Sequence, residues 1–92
     1  MSVKFTQRAL RDLVAIGNYI AIDRPIAAAH VIQRLFRACE GLETFPFRGR
    51  SGYRLGTRVL TTVRPYLIVY EILANGDVEI QAVWHGAQDR RG

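Results

Sequence analysis

The sequence predicts an α+β domain in the order β-α-α-β-β-β, with a helical hairpin packed on one face of a small antiparallel sheet. Three observations predict it. Two consecutive segments in the first half carry apolar residues at helical spacing, with only a short proline-containing break between them. The second half carries three runs rich in β-branched and apolar residues. Asn75-Gly76 joins the last two runs, and that dipeptide is the strongest short hairpin signal a sequence offers. Helices grouped before strands place the hairpin of helices over one side of the sheet.

Each element follows from local chemistry. Val3 to Phe5 is short and apolar and reads as an edge strand. Thr6 is positioned to cap a helix, because its hydroxyl can accept from a free N–H of the first turn. Ala9, Leu10, Leu13, Val14, Ile16 and Ile20 then form a helical stripe. Asp23-Arg24-Pro25 ends it, since a proline pushes its predecessor out of the helical region. Pro25 suits the first position of a second helix, whose stripe is Ala28, Val31, Ile32, Leu35, Cys39 and Leu42. That helix should end before Pro46.

Strand-like runs follow at Arg58 to Val63, Tyr66 to Leu73 and Asp77 to Trp84. A two-residue type I′ turn at Asn75-Gly76 sets Leu73 opposite Val78 and, further along the ladder, Tyr66 opposite His85. One face then carries Leu67, Val69, Glu71, Leu73, Val78, Ile80, Ala82 and Trp84. This is the greasier set, so it is expected to pack on the helices, with Trp84 in the core. The other face carries Tyr66, Ile68, Tyr70, Ile72, Glu79, Gln81, Val83 and His85, and is expected to meet solvent or a partner.

The totals bound the function. Ninety-two residues make a single domain, 1–92. Net charge is +5, and twelve of the thirteen cations are arginine. Guanidinium groups fork onto carboxylates and phosphates, so an acidic protein or a nucleic acid fits as partner. Cys39 is the only cysteine, which excludes an internal disulfide and suits a reducing cytosol. It falls on a helical stripe and reads as a small core residue. No apolar run is long enough to cross a bilayer. No cofactor motif and no metal-ligand spacing is present.

The densest charge lies in FRGRSGYRLGTRVLTTVRPY, residues 47–66. Arg48, Arg50, Arg54, Arg58 and Arg64 fall there, and no acid occurs between Glu43 and Glu71. A partner surface is the preferred reading over a solvated loop. His85 ends the last strand. It could act as a general acid or base with Arg58, Arg64 or Arg90 holding a phosphate, but a strand-end histidine bonding a nearby backbone group is the plainer reading. Tyr66 could stack on a base, yet cross-strand packing is the default for a strand aromatic. His30 falls on the outer side of the second helix.

The order of elements, with ALRDLVAIGNYIA, CEGLETFPFRGR, GTRVL, PYLIVYEI and VWHGAQDR in that sequence, resembles the RelE/ParE superfamily of bacterial toxins from type II toxin–antitoxin modules. The similarity runs from about Phe5 to Arg90. It implies a cytoplasmic toxin held inactive by a cognate antitoxin with an acidic C-terminal segment, and contact with operator DNA only through that antitoxin. It also implies a target. The ParE branch poisons DNA gyrase and the RelE branch cuts messenger RNA on the ribosome. Several nucleases of the superfamily have an arginine near the start of the strand that here reads Tyr66 to Tyr70, and some end in a lysine-and-tyrosine tail. This chain has neither, which favours the ParE branch and a non-enzymatic action, with a RelE-like mRNA endonuclease as the alternative. Arg48, Arg50, Arg54, Arg58, Arg64, Tyr66, His85 and Arg90 are the residues expected to meet antitoxin or target.

Overall fold

The computed structural model describes residues 2–86. Its elements are β1 (Val3–Phe5), α1 (Gln7–Ala21), α2 (Pro25–Gly41), β2 (Arg50–Ser51), β3 (Thr57–Leu60), β4 (Tyr66–Ile72) and β5 (Val78–His85). The strands form one sheet in the order β1-β5-β4-β3-β2. The sheet is mixed and not antiparallel as expected from the sequence, because β1 runs parallel to β5 with Val3 beside Val78 and Phe5 beside Ile80. The helices carry the chain from the β1 edge to the opposite edge, where Arg50–Ser51 adds a two-residue strand that the sequence did not suggest.

The helical half forms as its sequence dictates. Thr6 caps α1, its hydroxyl accepting from the Ala9 N–H at 3.0 Å. Pro25 opens α2. The start of α1 also closes the edge of β5 beyond β1: the Thr6 hydroxyl donates to the Gln81 carbonyl at 3.1 Å, and the Asp12 carboxylate accepts from the Val83 N–H at 3.0 Å. Strand N–H and C=O groups left open by such a short β1 thereby find partners. Cys39 is buried on α2. Burial first, and the neighbouring Glu40 carboxylate second, push its thiol up to about 12, so it packs as a small apolar group.

The hairpin corrects two expectations. The turn is not type I′. The Leu73 carbonyl accepts from the Gly76 N–H at 2.9 Å, and the Leu73 N–H donates to the Asp77 carbonyl at 2.8 Å. Only Gly76 has positive φ, at 92°. This is a type I turn followed by a glycine in the left-handed region, a three-residue loop. Asn75 serves it through its side chain, whose oxygen accepts from the Asp77 N–H at 3.0 Å. The register is therefore one residue off at the turn, with Ile72 opposite Val78. A β-bulge then shifts it back. Tyr70 pairs with Ile80 and Val69 with Ala82, so Gln81 is the extra residue and Tyr66 does face His85.

These two shifts decide which face is covered. The bulge sets Val78, Ile80 and Val83 on one side together with Tyr66, Ile68, Tyr70 and Ile72 of β4. That side packs against Ala9, Leu13, Leu35 and Cys39 of the helices, together with Leu42 just after α2. For β4, and for β5 beyond the bulge, it is the reverse of the expected packing, whereas Val78 and Ile80 face the helices as expected. Leu67, Val69, Ala82 and Trp84 stay on the uncovered side with Val59, and Trp84 is half-buried there, outside the main core. β3 ends at Leu60, short of the expected Val63, although the Val63 side chain still reaches the core.

Candidate functional site

The uncovered side of the sheet is concave. Its floor is the small apolar cluster of Val59, Leu67, Val69, Ala82 and Trp84. Over it lies a groove of about 550 Å³, walled by Arg8 on one flank and by Arg50, Tyr53 and Arg54 on the other. Strand alternation explains the second flank. Arg50 pairs with Val59, whose side chain points to the open face, so Arg50 points there too.

Arg8 reaches the groove from the first turn of α1, with its guanidinium 5.5 Å from the centre of the Trp84 ring. Its Nε also lies 3.7 Å from Asp12, one turn along the helix. A guanidinium over an indole face is held by the ring quadrupole and still offers donors outward.

The bulge places a polar hub at the other end. Glu71 and Glu79 are direct cross-strand partners, a like-charge pair that repels. Gln81 lies between them. Its amide nitrogen donates to Glu71 at 2.9 Å and to Glu79 at 3.3 Å, and its oxygen accepts from Arg54 at 2.6 Å. One neutral side chain thus links two carboxylates to a guanidinium. The groove is basic and aromatic at the Arg8–Trp84 end and mixed in charge at the Glu71–Glu79 end. An extended or helical peptide with an apolar side chain for the floor and carboxylates for Arg8 and Arg50 fits it.

The residues expected from the sequence are not gathered in one place. Arg50 and Arg54 line the groove. Arg58 is offset by one strand position from Val59 and turns to the covered side, where its guanidinium donates to the Gly49 carbonyl at 2.6 Å and the Phe47 carbonyl at 3.2 Å. Arg48 is exposed beside Phe45, 5.4 Å from that ring. Arg64 is exposed in the turn before β4. Tyr66 is buried among core residues, and its ring meets His85 edge-on at 5.4 Å. His85 therefore belongs to the covered side, at the end of the sheet where Arg64 lies. Four residues along β4 and two strand spacings separate it from Arg58, roughly 16 Å. Arg90 lies outside the described residues.

Arg8, Trp84 and the Gln81 hub are the parts of the groove that sequence reasoning missed. The i,i+4 spacing of Arg8 and Asp12 was the one available signal for the first. Among the described residues no group of histidine, cysteine or acidic side chains could hold a metal ion, and no helix is long and apolar enough to cross a membrane.

Comparison with known proteins agrees with the fold. The family model described as the ParE toxin of the type II toxin–antitoxin system parDE matches residues 3–90. A chain named "Putative toxin Y4kP" from Sinorhizobium fredii is 44% identical over 87 residues, which span 94% of this chain and 88% of that one. Toxin RelE2 of Caulobacter vibrioides is 41% identical over 86 residues, covering 94% and 96%. A solved structure of the chromosomal ParDE TA system from P. aeruginosa superposes with a TM-score of 0.83 at 25% identity, covering 92% of this chain and 95% of that one.

Proposed function

We propose that this chain, which belongs to the ParE toxin family of type II toxin–antitoxin systems, is a cytoplasmic toxin that acts by binding DNA gyrase and catalyses no reaction of its own. Its cognate antitoxin neutralises it by laying an acidic, amphipathic segment along the open-face groove, and operator DNA is met only through that antitoxin. The observation that carries the reading is the make-up of the groove. Arginines flank an aliphatic floor and a tryptophan, which suits capture of a peptide, while His85 sits on the other side of the sheet. A general base must lie within hydrogen-bond reach of the proton it takes, and the histidine stands far from the arginines of β2 and β3.

The direct test is a gyrase supercoiling reaction with added toxin. Inhibition with accumulation of linear DNA is expected, and prior addition of antitoxin should abolish it. Unchanged supercoiling at a large excess of toxin would remove gyrase as the target.

One observation favours a second reading, an mRNA endonuclease acting on the ribosome: the relative named Toxin RelE2 is 41% identical to this chain. The groove also holds Glu79, linked to Arg54 through Gln81, with Arg50 on its far flank, a carboxylate and cations of the kind that RNA cleavage uses. Primer extension on transcripts from cells making the toxin distinguishes the two. New cuts within codons would support the nuclease, and an uncut pattern in arrested cells would eliminate it.

A further inference from the structure

The segment between α2 and β3 has an unusual arrangement. Phe45 and Phe47 are 58% and 70% exposed, which places two large rings in water at a real hydrophobic cost. Yet the backbone that carries them is tied down from beneath. The hydroxyl of fully buried Tyr70 donates to the Pro46 carbonyl at 2.7 Å and accepts from the Gly49 N–H at 2.9 Å. Arg58 adds its bonds to the Phe47 and Gly49 carbonyls. At Gly49 a side chain is excluded, because a Cβ there would come within 2.7 Å of the Tyr70 hydroxyl and 2.8 Å of the Val59 carbonyl.

Stability alone does not account for these ties. The Nε of Arg58 is buried without an acceptor, and an unmet buried donor is destabilising. An apolar side chain in its place would fill the same space without that cost. What Arg58 does instead is hold two carbonyls of an exposed loop and lay its guanidinium 5.2 Å from the Phe47 ring. Arg48 likewise lays its guanidinium 5.4 Å from the Phe45 ring. The outcome is a fixed surface of two phenyl rings with guanidinium groups beside them. Fixing such a surface before binding lowers the entropy lost on association. Rings and arginines are also the side chains that dominate binding energy at protein interfaces.

We infer that Phe45, Phe47 and Arg48 form a target-docking surface separate from the groove, fitted to an acidic protein surface. This rests on the gyrase reading for the identity of the target, with the loop as the part that gyrase meets. Charge complementarity selects the occupant, since no acidic residue occurs between Glu43 and Glu71. The groove lies on the open side of the sheet, whereas Arg58 and Tyr70 hold the loop from the covered side, so one chain can meet antitoxin and target through different residues.

The test uses full-length toxin carrying Phe47→Ala with Arg48→Glu, both at exposed positions that leave the core intact. Three quantities are read: growth arrest on induction without antitoxin, inhibition of supercoiling, and affinity for the antitoxin by calorimetry. The double variant is expected to lose growth arrest and to need roughly tenfold more protein or greater to halve supercoiling. Its antitoxin affinity should stay within about threefold of the parent. Tyr70→Phe, which keeps the surface chemistry but unties the loop, should fall between the two. Growth arrest as strong as the parent at equal protein level overturns the proposal, as does a parallel loss of antitoxin binding. If the parent arrests growth but leaves supercoiling untouched, gyrase is the wrong target, and the growth comparison still decides whether the loop is the docking surface.

Discussion

The two sides of the sheet are built from the same strands but are finished differently. The covered side carries Ile68, Tyr70 and Ile80, each fully buried against the helices. The open side carries Leu67 and Trp84, each only partly buried, over a groove edged by Arg8, Arg50 and Arg54. Apolar area removed from water stabilises the fold, whereas apolar area left in a concave, cation-edged groove is available to a partner. One side therefore holds the domain together, and the other is proposed to receive the antitoxin.

Neighbouring residues of β4 give the largest expected contrast. Ile68→Ala removes side-chain atoms from a fully enclosed site and should cost about 3–4 kcal/mol of stability. Leu67→Ala, one position away on the open side, should cost about 1 kcal/mol or less. Urea denaturation of the two variants measures this, and equal losses would break the division between the sides. The contrast should invert for binding. Trp84→Ala is expected to weaken antitoxin affinity by about 2 kcal/mol, roughly thirtyfold, while destabilising the fold less than Ile68→Ala does. Calorimetric titration beside thermal melting reads both quantities.

A smaller effect belongs to the edge where β1 meets the hairpin. The Ser2 N–H donates to Asp77 at 2.9 Å, and Lys4 lies 3.2 Å from it. The backbone bond first, and Lys4 next, hold this carboxyl below its ordinary range. A folded-state pKa below the unfolded one stabilises in full above the unfolded carboxylate range and is lost as pH falls through the depressed value. Melting temperature should therefore drop on acidification more steeply for the parent than for Asp77→Asn. Parallel pH profiles would show that this edge contributes nothing.

Much of the fold was legible because it rests on local chemistry. Thr6 as cap, Pro25 as helix start, Cys39 as core and Asn75-Gly76 as hairpin are each fixed by the residue and its immediate neighbours. The choice of covered face was not legible. β4 reads YLIVYEI, with apolar residues on both sides of the strand, so alternation alone does not rank the sides. The bulge at Gln81 decides between them, and a bulge adds one residue without a strong local signature. The same limit applied to the arginines. Their closeness in sequence suggested one patch, but alternation sends Arg50 and Arg58 to opposite sides. Only the strand pairing reveals that one lines the groove and the other props the loop.

Trp84 is the only tryptophan in the chain and lies in the groove, so its fluorescence reports occupancy of that groove without a label. Titration with an antitoxin segment lacking tryptophan should shift its emission to shorter wavelength and shield it from a dissolved quencher, saturating at the stoichiometric point. An emission spectrum and quenching constant unchanged at saturation, with complex formation verified by sedimentation, would place the antitoxin elsewhere and contradict the assignment of the open side as its seat.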